Sequence, residues 1–416
     1  MTRSFWLPVL CGGLILTIGL GTRQSFGIFL KPVSAELGVG RELWSLGIAL
    51  SLLVMGILSP FVGGLADRFG AARTVAGGTL VYVLGMALVA AAASGAQLTV
   101  GLILTGAGLA AAGFGPILGA VGRASPPARR SLALGVATAG GSFGQFAIVP
   151  LASVTQDRLG DWHITMWILA ATSLLMLPLA IGLREPKTGA TWNVKAPITQ
   201  SIREVLSEAF AVRGFLLLTL GFFVCGFHVS FVGTHLPAYI SDAGIGLTLF
   251  GKGISPPELG GWAIGLVGLF NIAGAVLWGW LGGRYKRKDM LTLLYLLRAG
   301  VFVLFLVLPL SAGSVLAFSA ALGFLWLGTV PLTSGLVAYM FGPINMSMLY
   351  GIVFLSHQFG SFVGGWGGGL LFDLTGNYEI MWWASIGLGL FAALCNWPIR
   401  EVPVSRLAPS PATAHY

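Results

Sequence analysis

The sequence predicts an all-α membrane protein of twelve transmembrane helices arranged as two pseudo-symmetric sets of six. Three observations predict it. Of 416 residues, 56% are hydrophobic and 9% charged, with a mean hydropathy of +0.88; that is too little charge to cover a soluble chain of this length. Twelve apolar runs occur, each of about 20 residues or more and so able to cross a hydrocarbon layer roughly 30 Å thick. One long polar stretch, 184–213, divides the runs six and six.

The first run, 5–30, follows Arg3 and shows no small-residue cleavage pattern, so it is read as a retained helix and not a secretory leader. Runs 43–66 and 74–94 flank a polar turn with Asp67, Arg68 and Arg73. The fourth and fifth, 97–122 and 131–155, flank Arg123, Arg129 and Arg130, and the sixth, 163–183, ends at Arg184. Beyond the polar stretch come 214–240, 260–282, 289–310, 313–338, 345–371 and 379–399, with Arg284 to Lys288 between the eighth and ninth. With the N-terminus inside, 17 of 23 Lys and Arg fall in the cytoplasm and only Lys31, Arg41, Arg158 and Lys252 outside. This positive-inside bias accounts for the net charge of +9 without a nucleic-acid partner. It places both termini in the cytoplasm of a multi-pass inner-membrane protein. The expected domains are an N-terminal bundle (1–183), a cytoplasmic linker (184–213), a C-terminal bundle (214–400) and a cytoplasmic tail (401–416).

The halves echo each other. GGLADR (63–68) after the second run matches GWLGGR (279–284) after the eighth, 216 residues on. GFGP (113–116) aligns with GTVP (328–331), and GSF recurs at 141–143 and 360–362. Three echoes at nearly one offset suggest an internal repeat, a common plan of secondary transporters. Glycine patterns such as GPILG (115–119), GGSFG (140–144), GWAIG (261–265) and GGWGG (364–368) put small residues one helical turn apart, where helices can approach closely.

On these features the chain resembles the major facilitator superfamily over its whole length, and GGLADRFGAAR (63–73) resembles that family's signature loop between the second and third helices. The resemblance implies the major facilitator fold, a monomer, and a gate held by Asp67, Arg68 and Arg73. Ala71 and Ala72 replace the usual basic pair, and Gly283 replaces the Asp of the second copy. The stretches TRQSFGIF (22–29), CGFHVSFVGTHLPAY (225–239), LYLLR (294–298) and SHQFGSFVGG (356–365) are similar to the bacterial branch related to monocarboxylate transporters. Members of that branch that carry lactate-like acids place an arginine four residues after an Asp or Asn in the eighth helix; here Asn271 is followed by Ala275.

The intramembrane inventory is short: Arg23, His228, His235, Arg298 and His357. All fourteen carboxylates fall in loops or at helix ends, with Asp242, Asp373 and Glu379 nearest the membrane. An arginine in hydrocarbon costs roughly 2.5–3.5 kcal/mol on insertion scales. Without a carboxylate it must be met by carbonyls, water or a ligand anion. The interior therefore favours small organic anions, carboxylates above all, which arginine binds with paired hydrogen bonds. Arg23 is the expected anchor. The competing reading is snorkelling, since Lys31 stands only about 12 Å further along a helix. Arg298 is read as a structural buried charge, with Tyr295 nearby. Asn271, His357, Gln358, Gln145 and Tyr350 are candidate cavity groups, inter-helix hydrogen bonding being their alternative use. Without a buried carboxylate, proton coupling falls to His235, His357 or His228.

The three cysteines show no metal or disulfide spacing and are read as packing residues. GLTLFGKG (246–253) lacks the Ser or Thr of a phosphate loop, and no catalytic constellation, metal site or cofactor motif is present. The expectation is a secondary active transporter of a small organic anion, coupled to protons and bathed in membrane lipid. The rivals are an exporter of bulky amphipathic compounds and, in another class, a non-transporting membrane receptor or scaffold.

Overall fold

The computed structural model describes residues 5–38, 41–184, 201–249, 252–254 and 256–404. Residues 185–200 of the expected linker and 405–416 of the tail lie outside them. The chain is almost wholly helical. In order, the helices are α1 (Trp6–Gln24), α2 (Leu30–Leu37), α3 (Arg41–Phe69), α4 (Ala71–Ala90), α5 (Gly95–Ala112), α6 (Phe114–Ala124), α7 (Arg130–Leu159), α8 (Trp162–Ser173) and α9 (Met176–Ala180). After them come α10 (Ile202–Ala211), α11 (Arg213–Asp242), α12 (Pro256–Arg284), α13 (Arg287–Val307), α14 (Ala312–Phe324), α15 (Thr329–Phe341), α16 (Met346–Thr375) and α17 (Glu379–Asn396). A short antiparallel pair, β1 (Leu247–Leu249) and β2 (Lys252–Ile254), sets Leu247 opposite Ile254 before α12.

Among the described residues, eleven helical stretches are long and apolar enough to cross a membrane, so this is a multi-pass membrane protein. The remaining predicted run, the eleventh (345–371), is α16. Its 30 residues span about 45 Å, but Ser356, His357 and Gln358 in its middle dilute the apolar signal. The first predicted run proves shorter than 5–30: α1 ends at Gln24, a 3-10 turn follows over Ser25–Phe29, and α2 folds as a separate short helix. The polar stretch between the sixth and seventh runs contains α10, started by a capping box in which Ser201 and Glu204 satisfy each other's free N–H groups.

Local chemistry explains the breaks. Gly70 sits at φ +93° between α3 and α4, a conformation that a residue with a Cβ rarely adopts. The fourth span is split at Gly113, whose backbone is extended, and α6 restarts with Pro116 in its first turn. The tenth is split over 325–328, and α15 restarts with Pro331 in its first turn. Both echoed motifs, GFGP and GTVP, thus fall at a helix break.

Two long helix pairs carry much of the packing across the middle of the chain, α3 with α16 and α7 with α12. Along the first, Gly351 meets the backbone of Ser59 and Gly56 meets Gln358. Along the second, a Cβ on Gly279 would lie 2.8 Å from the Gly135 Cα, so the pair closes only because both residues are glycine. Named in order, these contacts run from the end bearing Arg68 and Arg284 to about the helix midpoints.

Candidate functional site

The break in the tenth span frees backbone groups inside the protein, and buried side chains collect around them. Arg298, fully buried on α13, donates from Nε and Nη2 to the Leu325 carbonyl at 3.0 and 2.7 Å and from Nη2 to the Trp326 carbonyl. The Leu327 N–H donates to Asn271 Oδ1 at 2.8 Å, and Trp278 Nε1 donates to the Phe324 carbonyl at 3.2 Å. Asn271 Nδ2 in turn donates to Ser142 Oγ of α7 at 2.6 Å. Both ends of the Asn271 amide are engaged, joining α7, α12 and the break. The Tyr295 ring lies 5.5 Å from the Arg298 guanidinium carbon.

Beside this junction, α16 brings Gln358 to the contact with α3 and sets the His357 ring 5.0 Å from Phe222 of α11. Gln358 Nε2 donates to the Leu52 carbonyl at 3.2 Å, and its Oε1 lies 3.0 Å from His357 Nδ1. Phe354 stacks on the His357 ring at 5.3 Å and meets Phe114 of α6 edge-on at 6.0 Å. Gln145 of α7, half-buried, approaches Gly268 of α12. Ser142, Gln145 and Asn271 therefore lie along the α7–α12 contact, and Gln358, bonded to His357, along the α3–α16 contact. Tyr350, one turn or more away on α16, is fully buried and its hydroxyl has no partner.

Arg23 stands in the last turn of α1. One turn below it, Leu20 reaches toward Gly141 of α7, near Phe114. Arg23 is half-buried, its Nε is buried without a hydrogen-bond partner, and Tyr82 of α4 is within electrostatic reach. The other two histidines lie within the helices after residue 213. His228 Nε2 meets the Ser385 carbonyl at 2.8 Å, and His235 Nε2 meets the Gly365 carbonyl at 2.8 Å.

At the basic end, Asp67 has a side chain only 1% exposed. Its carboxylate accepts from the Met348 N–H at 2.9 Å and the Ser347 N–H at 3.3 Å, capping the first turn of α16 from another helix. Its ionic partner is Arg123 Nη1 at 2.5 Å; Arg68 and Arg73 are exposed on the same end. Arg123 also donates to the Pro343 carbonyl at 3.4 Å. Arg123 had been visible in sequence only as one more basic loop residue. Its place immediately after the apolar run 97–122 was the available signal. A second tie was not expected. Arg287 donates from Nε to Ser131 Oγ of α7 at 3.1 Å and pairs through Nη1 with Glu401 at 2.7 Å. Glu401 supplies a carboxylate on the side where Gly283 has none.

Among the described residues, no group of three or more His, Cys, Asp or Glu is placed to hold a metal ion. What the arrangement offers is buried positive charge, inter-helix hydrogen bonding and carboxylate clasps at one end.

Comparison with known proteins agrees with this geometry. Residues 10–257 and 249–415 match the family described as the Major Facilitator Superfamily. The chain is 26% identical to monocarboxylate transporter 13 of Bos taurus over 377 residues, 90% of this chain and 84% of that one. It is 26% identical to the 4-hydroxybenzoate transporter PcaK of Pseudomonas putida over 426 residues, 91% of this chain and 89% of that one. In structure it is similar to the E. coli fucose:proton symporter FucP, with a TM-score of 0.67 at 18% identity over 95% of this chain and 97% of that one.

Proposed function

The chain belongs to the major facilitator superfamily, and from that premise we propose that it carries a small organic anion, a carboxylate, across the inner membrane by alternating access, coupled to protons. Relatives named for monocarboxylates and for 4-hydroxybenzoate support the substrate class. The observation that carries the proposal is Arg23. Its guanidinium has a buried Nε without a partner, in a span that holds no carboxylate. A cation so placed is stabilised by an anion brought from outside, and a carboxylate meets it with two parallel bonds.

In this reading the transporter is a monomer in lipid with both termini cytoplasmic. Two six-helix bundles, 1–183 and 214–400, joined by the linker 184–213, rock about the α3–α16 and α7–α12 contacts. The contacts named above lie at the basic end and around mid-membrane, as expected of a state closed to the cytoplasm. The bonds of Asp67 to the Ser347 and Met348 N–H groups, of Arg123 to the Pro343 carbonyl and of Arg287 to Ser131 are the clasps released on opening. Among the histidines, His357 is joined through Gln358 to the α3–α16 contact and is the preferred proton carrier.

Counterflow in proteoliposomes tests the proposal. Unlabelled benzoate, lactate or oxalate inside should drive uptake of the labelled acid, and Arg23→Ala should raise the half-saturation concentration at least tenfold. Equal counterflow in wild type and Arg23→Ala, with the same half-saturation, would overturn the anchor.

A further inference from the structure

Cys225 is fully buried on α11, at the meeting point of polar groups from three other helices. Its Sγ lies 3.1 Å from Thr329 Oγ1 of α15 and 3.8 Å from Arg298 Nη2 of α13, and it faces His357 of α16. Around it, Arg298 Nη1 and the hydroxyls of Tyr295 and Tyr350 are buried without hydrogen-bond partners. Cys225 acts electrostatically on both tyrosines. The remaining titratable groups near the cluster are His228, which feels Arg298 and is bonded to Ser385, and Cys395 of α17, which acts on Tyr295. The apolar spans contribute no carboxylate. A buried guanidinium lacks an anion, and the nearest group able to become one is a thiol.

The hydrogen-bond pattern also fixes where a proton can go. The Leu52 carbonyl can only accept, so the amide nitrogen of Gln358 must face it. That turns Gln358 Oε1 toward His357 and requires the Nδ1–H of the imidazole to donate. The free lone pair is then on Nε2. A proton leaving the Cys225 sulfur has an acceptor in His357, and the thiolate left behind is held by Arg298 and the Thr329 hydroxyl. Charge balances: thiol plus imidazole becomes thiolate plus imidazolium. On His357 the proton makes the Nδ1–H bond to Gln358 charge-assisted, roughly doubling its strength. That bond lies in the chain leading to Leu52 of α3.

We infer that Cys225 and His357 share one proton as the coupling pair of this transporter, that Arg298 holds the charge left on the sulfur, and that Gln358 links the pair to the α3–α16 contact. The inference rests on the proton-coupled reading above and adds a residue that the sequence offered only as packing.

The test uses full-length protein in lipid nanodiscs, with Cys11→Ser and Cys395→Ser so that Cys225 is the one remaining thiol. Ultraviolet thiolate absorbance is recorded from about pH 5 to about pH 9, spanning the ordinary imidazole and thiol ranges. The expected result is close to one thiolate per protein at neutral pH, absent in Cys225→Ser. His357→Gln should lower it at least about tenfold, and so should Asp67→Asn, which opens the α3–α16 contact and releases Gln358. A neutral thiol throughout would overturn the inference. So would a thiolate unchanged by both His357→Gln and Asp67→Asn, because that is a fixed counter-ion and not a carrier. Arg23→Ala should leave the signal in place, so failure of the carboxylate anchor and failure of this pair are read separately.

Discussion

Replacing Asp67 with Asn should move the protein out of the state described here. The Asp67 carboxylate reaches α16 through the Ser347 and Met348 N–H groups at 3.3 and 2.9 Å, and its side chain is 1% exposed. Hydrogen bonds to a charged acceptor contribute about 1.5–3 kcal/mol each. An amide keeps one acceptor, loses the charge and turns an N–H pair toward other donors, so roughly 2–3 kcal/mol of the tie to α16 is lost. Arg123 adds to the bias in the same direction. Its side chain is 7% exposed beside Asp67, and opening would rehydrate a guanidinium that Asn no longer neutralises. A difference of that size shifts a two-state equilibrium about 30- to 150-fold toward the form open at the basic end. Spin labels at Arg68 and Tyr285, both exposed on that end, would report it as a new long-distance population in pulsed dipolar spectroscopy. An unchanged distance distribution with a lowered melting temperature would refute the reasoning, because Asp67 would then hold only the fold.

Asn271→Ala leaves the Leu327 N–H and Ser142 without their partner. At about 1–3 kcal/mol per buried unsatisfied group, thermal unfolding should show a marked loss of stability while the half-saturation for anion stays within twofold. Glu401→Gln removes the charge facing Arg287 and should cost roughly 1.5–3 kcal/mol, read as a lower melting temperature that Arg287→Gln in the same chain does not lower further. Glu36 on α2 accepts from His163 Nε2 at 2.7 Å and from Trp162 Nε1 at 2.6 Å. These bonds hold its carboxyl below the ordinary carboxylate range, so the stability it contributes is present above about pH 4.3 and is lost as pH falls through the lower folded value. Melting curves of Glu36→Gln should therefore lack that acid-side decline while matching wild type less its clasp at neutral pH.

The spans were legible because apolar runs must match the bilayer, and that constraint acts on each segment separately. Even the helix breaks left a trace, in the paired GFGP and GTVP motifs. The partners were not legible. Nothing local to Asp67 names Arg123, 56 residues on, or the amides of Ser347 and Met348, about 280 residues on. Arg298 could be seen as a buried charge near Tyr295, yet its main partners are carbonyls freed by a break in another span. Cys225 carried no spacing signal because its neighbours come from α13, α15 and α16. His163, outside the apolar interior, was passed over and turns out to bridge Glu36 and the Ala90 carbonyl.

The most direct measurement of the central claim is the melting temperature of the purified protein against a panel of small carboxylates, in wild type, Arg23→Lys and Arg23→Ala. The account predicts that at least one carboxylate raises the wild-type melting temperature in a saturable way, that Arg23→Lys keeps part of the shift, and that Arg23→Ala abolishes it. Stabilisation by bulky amphipathic compounds and by no carboxylate, unaffected by Arg23→Ala, would contradict it.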